Sequence, residues 1–158
     1  STLFPYTTLF RSWTFLGIKE TLPVVLLGLV IIFCVGIFGD LLLRLEGLET
    51  TSNQQSVEEI VQAIPKGLIL IFAGVIGPIF EEGIFRVGIQ AFFKPASKIG
   101  ILVSSILFAL VHTPTDIGSF IIYWGMGLAL SWVYLRTGRF EAAVLTHFIW
   151  NVLGILML

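Results

Sequence analysis

Two carboxylates and a guanidinium, Glu81, Glu82 and Arg86, interrupt a stretch that is otherwise as apolar as lipid, with GLILIFAGVI shortly before and VGIQAFF after. The chain has only two histidines, His112 and His147, and both fall within apolar runs, as does Asn151. Glu82 and Arg86 are four residues apart, about 40° on a helical wheel, so they can form an ion pair that neutralises the arginine internally. Glu81 is rotated about 100° from Glu82 and is free to point elsewhere. A carboxylate left unpaired beside a structural ion pair is the arrangement a general base needs. His147 and Asn151 are also four apart and share a helix face, and Phe108 bears the same relation to His112, where it reads as a packing residue. Pro78, preceded by Gly77, removes a backbone donor and should bend and loosen the helix just before Glu81.

These side chains need helices to carry them. The 158 residues are 56% hydrophobic and 12% charged, with mean hydropathy +0.99. Soluble domains carry about 25% charged residues, so this composition describes an all-α, polytopic transmembrane bundle. Five apolar segments stand out, at about 22–43, 67–93, 99–112, 117–135 and 140–158. Each ionisable group at a bilayer centre costs roughly 2.5–3.5 kcal/mol on the lenient insertion scale, so such groups survive only facing a bundle interior or wet cavity. Glu81 is 13 residues from Lys94, His112 14 from Lys98, and Asn151 12 from Arg139. At 1.5 Å per residue these are heights of about 20, 21 and 18 Å, with His147 about 12 Å above Arg139. Three helices thus bring their polar groups to a similar depth, which is the pattern of one shared site.

The rest of the chain frames that site. Residues 1–12, STLFPYTTLFRS, resemble the translation of a sequencing-adapter oligonucleotide, so they are set aside and the genuine amino terminus is expected to be missing. Residues 13–66 read as a first transmembrane helix followed by an amphipathic linker, and 67–158 as the core that carries the site. Within the linker, Ser56-Val57-Glu58-Glu59 has the look of a capping box, followed by Ile60, Val61 and Ile64 on one face; a short interfacial helix is expected. Asp116 reads as a turn or helix-cap acid. Tyr123, Trp124, Trp132 and Tyr134 read as interfacial or packing aromatics. Gly125, Gly127 and Ala129 read as small residues for close helix packing. Lys19, Lys94, Lys98, Arg136 and Arg139 fall on one side of the membrane, against Arg44 and Lys66 on the other. That bias makes the 94–98 and 136–139 turns cytoplasmic, in a bacterial inner or plasma membrane. Net charge −1 argues against a nucleic-acid partner, and one cysteine, Cys34, excludes an intrachain disulfide.

Glu81-Glu82-x-x-x-Arg86, Phe108-x-x-x-His112 and His147-x-x-x-Asn151, in this order on successive spans, resemble the three motifs of the CAAX protease and bacteriocin-processing (Abi) family, the type II CAAX prenyl protease-like intramembrane proteases. The resemblance covers roughly residues 67–158, with Val87 standing where a glycine commonly follows the arginine. It implies an endopeptidase acting on membrane-associated or lipidated peptides or proteins. Glu81 and His112 would activate a water, while His147 and Asn151 would stabilise the oxyanion. Roles in bacteriocin maturation or self-immunity are compatible with it. It favours a mechanism without a metal cofactor, the zinc alternative using Glu81, His112 and His147 as ligands. A non-catalytic membrane scaffold or bacteriocin-immunity protein is the alternative from another class. A proton pathway is a third, because intramembrane carboxylates and histidines also build relays.

Overall fold

The computed structural model describes residues 17–94 and 96–158, so the adapter-like segment lies outside the described residues. The chain forms helices α1 (Ile18–Leu45), α2 (Ser52–Ala63), α3 (Lys66–Ile89), α4 (Lys98–Val111), α5 (Ile117–Thr137) and α6 (Phe140–Met157). Among the described residues α1, α3, α5 and α6 are long and apolar enough to cross a membrane, consistent with the helical bundle read from the sequence. The remaining apolar segment is shorter than a full span: α4 has 14 residues, or about 21 Å of rise. It stops where Thr113 precedes Pro114, since the right-handed helical region is disfavoured for a residue before proline. Thr113 adopts the left-handed region instead, at φ 49°.

α5 is the central element, packing most extensively against α1 and α4, and it begins with two well-defined caps. Asp116 accepts hydrogen bonds from the Ser119 N–H at 2.6 Å and the Ser119 hydroxyl at 2.7 Å. Partial burial pushes the Asp116 carboxyl up, but these bonds and the Thr115 hydroxyl outweigh it and hold the group below the usual carboxylate range. Glu46, at the end of α1, accepts from the N–H groups of Ile117 and Gly118 with its two oxygens at 3.3 and 3.2 Å. A carboxylate against the first amides of a helix complements its dipole. Gly138 closes the helix in the left-handed region, φ 64°, donating its N–H to the Tyr134 carbonyl.

The linker departs from expectation in one respect. α2 starts at Ser52, and its cap is Thr51, whose hydroxyl accepts from the Gln54 N–H at 3.1 Å. Ser56 lies inside the helix, its hydroxyl donating to the Ser52 carbonyl. Thr51 is 5% exposed, so its hydroxyl is better sheltered from water than that of Ser56 and wins the capping position. None of the α2 residues is buried, and Ile60 faces outward as an apolar stripe would at an interface.

Small residues set the helix separations. A Cβ at Gly127 would come 3.1 Å from the Ser105 Cα on α4, and one at Gly118 would come 2.8 Å from the Leu43 backbone N and 2.9 Å from the Gly39 carbonyl on α1. Hydroxyls add ties: Ser131 on α5 meets Ser105 on α4 at 3.4 Å, and Gln90, just past α3, donates to Ser131 at 3.0 Å. Gly118→Ala should therefore push α1 and α5 apart, costing about 1–3 kcal/mol. Thermal unfolding in detergent should show a lower midpoint for it, with little change for Gly67→Ala, whose added methyl meets nothing within 4 Å.

Candidate active site

The helix that carries the acidic pair is not a regular α-helix. Within α3, π-helical stretches Leu70–Ile76 and Gly83–Ile89 flank a single α-helical segment, Gly77–Glu82. Widened turns of this kind accommodate a mid-helix proline, whose ring would otherwise strike the carbonyl four residues back. The Gly77 N–H bonds to Phe72 O, five residues back. On that pattern the next carbonyl, Ala73 O, would look to residue 78, but Pro78 has no N–H to give. Asn151 supplies the missing donor from α6, its side-chain amide reaching Ala73 O at 2.9 Å. The expected loosening before Glu81 is thus present, and a side chain from another helix closes the gap it leaves.

Glu82 is the buried centre of the cluster, 0% exposed. One carboxylate oxygen lies 2.9 Å from Arg86 Nε, and the other lies 3.0 Å from His147 Nδ1. The ion pair expected from the four-residue spacing is present, and Glu82 also orients an imidazole. Because an ionised carboxylate only accepts, His147 carries a proton on Nδ1. Arg86 is 1% exposed, donates from Nη1 to the Ser104 hydroxyl at 3.2 Å and lies 4.9 Å from the centroid of the Phe108 ring. The Ser104 hydroxyl in turn donates a hydrogen bond to the Phe85 carbonyl.

His112 is the cap residue just past α4, where its N–H turns back to Ala109 O at 3.1 Å in a tightened final turn. Its Nδ1 lies 2.7 Å from the Phe108 carbonyl, an acceptor only, so Nδ1 carries the proton. In the neutral ring Nε2 is then a lone pair, and it faces Glu81. Phe108 does more than fill space: fully buried, its ring lies 4.7 Å from that of His112 and 5.8 Å from that of His147. Tyr123, read as a packing or interfacial aromatic, is stacked on His112 at 4.4 Å and 15°. Neither that stack nor the Glu82–His147 contact had a local signal, since each joins residues of different helices.

Glu81 is the half-buried member of the pair, its side chain 32% accessible. Its Oε2 stands 3.8 Å from His112 Nε2 and 3.8 Å from His147 Nε2, with no hydrogen-bond partner among the described residues. These separations exceed a direct hydrogen bond and suit groups that share one small molecule. All three side chains line a cavity of about 390 Å³ together with Asn151, within the range of small-molecule sites. It runs to the α1–α2 connector, where Thr50, Thr51 and Asn53 form its far wall. The structure therefore brings Glu81, His112, His147 and Asn151 together. Glu82, Arg86, Pro78 and Phe108 support them. Among the described residues no group of three or more His, Cys, Asp or Glu that could hold a metal ion is found.

Comparison with known proteins points the same way. Residues 63–153 match the family described as type II CAAX prenyl endopeptidase Rce1-like. The UPF0177 protein YvdC of Lactococcus lactis is 31% identical over 137 residues, 84% of this chain and 51% of YvdC. YdiL of Bacillus subtilis, named provisionally as a membrane peptidase, is 31% identical over 129 residues, 80% of this chain and 51% of YdiL. The membrane-embedded CAAX protease MroQ of Staphylococcus aureus is 31% identical over 113 residues, 66% of this chain and 44% of MroQ. The chain spans about half the length of the curated relatives it matches. No solved structure matches it.

Two energetic consequences follow from the geometry. Glu82→Ala leaves Arg86 buried without its counter-charge, a change expected to cost about 3–5 kcal/mol. A large fall in the detergent unfolding midpoint should appear for Glu82→Ala, and a smaller one for Glu82→Gln combined with Arg86→Met. Asn151→Ala strands the Ala73 carbonyl at about 1–3 kcal/mol, and Pro78→Ala returns a backbone N–H to it. A double-mutant cycle should therefore give the asparagine substitution a smaller cost in the Pro78→Ala background.

Proposed function

Because the chain belongs to the type II CAAX prenyl endopeptidase Rce1-like family, we propose that its cavity hydrolyses peptide bonds of membrane-associated or lipidated substrates. The observation that carries this reading is the placement of Glu81 Oε2 3.8 Å from both imidazole Nε2 atoms, on the wall of one cavity. A water held between Glu81 and His112 meets a carboxylate and an imidazole lone pair, either of which can take its proton. The resulting hydroxide oxygen bonds to the substrate carbonyl carbon, and the carbonyl electron pair moves to oxygen.

Two donors are available to that oxyanion. Asn151 has a second amide N–H besides the one given to Ala73. His147 Nε2 can donate to it when the ring carries both protons, with Glu82 placed at Nδ1. The carbon–nitrogen bond then breaks, and the proton collected by Glu81 or His112 passes to the leaving amine. Atoms and charge balance without a metal or a redox partner. Glu82 and Arg86 do not enter these steps; they hold the imidazole that does. Substrates would come from the lipid phase or its surface, and the basic turns at 94–98 and 136–139 would face the cytoplasm.

With the protein purified in detergent and a lipid-tethered fluorogenic peptide as substrate, Glu81→Ala should lower kcat/KM by about 10³-fold. His112→Ala should do comparable damage, and chelation with EDTA or 1,10-phenanthroline should leave the wild-type rate unchanged. Equal cleavage by wild type and Glu81→Ala removes the reading. Full rescue of a cellular phenotype by the Glu81→Ala/His112→Ala double variant would instead favour a scaffold or immunity role.

A further inference from the structure

We propose that Tyr123 is a positioning residue, whose ring sets the plane of the His112 imidazole. Three observations converge on it. The phenol and imidazole rings are nearly parallel, 15° apart with centroids at 4.4 Å, on the wall of the cavity. The Tyr123 hydroxyl lies 2.8 Å from the Thr51 hydroxyl, a buried contact between residues 72 positions apart. Thr51 is itself fixed, because its oxygen caps α2 by accepting from the Gln54 N–H.

His112 needs such support more than His147 does. His147 is 1% exposed on its side chain and is gripped by the Glu82 carboxylate. His112 is 14% exposed, sits just past the end of a short helix and precedes a residue in the left-handed region. Its one polar anchor is the carbonyl of Phe108 in its own helix. A single hydrogen bond at Nδ1 fixes the tautomer and leaves the ring free to swing about that contact. A parallel ring at stacking distance removes the swing, directing Nε2 at Glu81. The charged or titratable groups facing His112 are Glu81 and Arg86 from α3 and His147 from α6, so Tyr123 adds orientation without adding charge.

The chain of contacts from Thr51 through Tyr123 to His112 also joins the connector to the site. Ser52, next to the cap, donates to the carbonyl of Thr113, the residue after His112, at 3.0 Å. The connector therefore holds His112 from two directions, through its ring and through its backbone.

The test compares Tyr123→Phe, which keeps the ring, with Tyr123→Leu, which removes it. Its kinetic arm rests on the hydrolytic reading, whereas its spectroscopic arm does not. Cleavage of the lipid-tethered peptide should stay within about threefold of wild type for Tyr123→Phe and fall at least about tenfold in kcat for Tyr123→Leu, with KM little changed. The imidazole resonances of the two histidines can be assigned by His147→Gln in detergent-solubilised protein labelled at histidine. The His112 resonances should move in Tyr123→Leu and hold in Tyr123→Phe. Should Tyr123→Leu lower the unfolding midpoint, Tyr123→Met, closer in length, carries the same comparison. Unmoved His112 resonances in the ringless variant overturn the proposal even if no peptide is ever cleaved. Equal loss of kcat in Tyr123→Phe and Tyr123→Leu also overturns it, since the hydroxyl rather than the ring would then matter.

Discussion

One buried carboxylate governs this structure. Glu82 takes a guanidinium on one oxygen and an imidazole on the other, with no exposure to solvent. A lone ion moved from water into a medium like this costs several kcal/mol even after relaxation, and a counter-charge at short range offsets that cost. Glu82, Arg86, Ser104, Phe85 O and His147 form one linked set drawn from α3, α4 and α6. The contacts fix how the three helices meet, and the neighbouring Glu81 inherits a defined direction because its backbone is part of the same turn. Charge is thus divided between two adjacent glutamates, one spent on structure and one left facing the cavity.

The irregular winding of α3 follows from the same neighbourhood. A regular helix with Pro78 in its interior would clash with its own preceding turn and lose a hydrogen bond. The chain relaxes into wider turns and draws on Asn151 to satisfy Ala73. Asn151 therefore contributes to helix association whatever else it does, in the way polar side chains join helices inside a bilayer. Its second amide proton is what it can offer to chemistry.

The sequence made the bundle, its helix order and the convergence of Glu81, His112, His147 and Asn151 legible, because apolar runs and four-residue spacings are local properties. The Glu82–Arg86 pair was legible for the same reason, and it survived although the surrounding helix is partly π-wound. What stayed hidden depends on partners far apart in the chain. Nothing near Tyr123 indicates that it stacks on a histidine 11 positions earlier on another helix. Nothing near Ser56 indicates that Thr51, packed beneath α5, would take the cap instead. The 14-residue length of α4 could be guessed from Pro114 but not its consequence, that His112 ends a helix and leans on its neighbours.

The connector between α1 and α2 is fastened at both ends, by Glu46 to the first amides of α5 and by Thr51 to Tyr123. The wall it contributes therefore belongs to the packed bundle, and the hollow behind it has a settled size. Loosening either tether would therefore shift that wall and change the room beside Glu81.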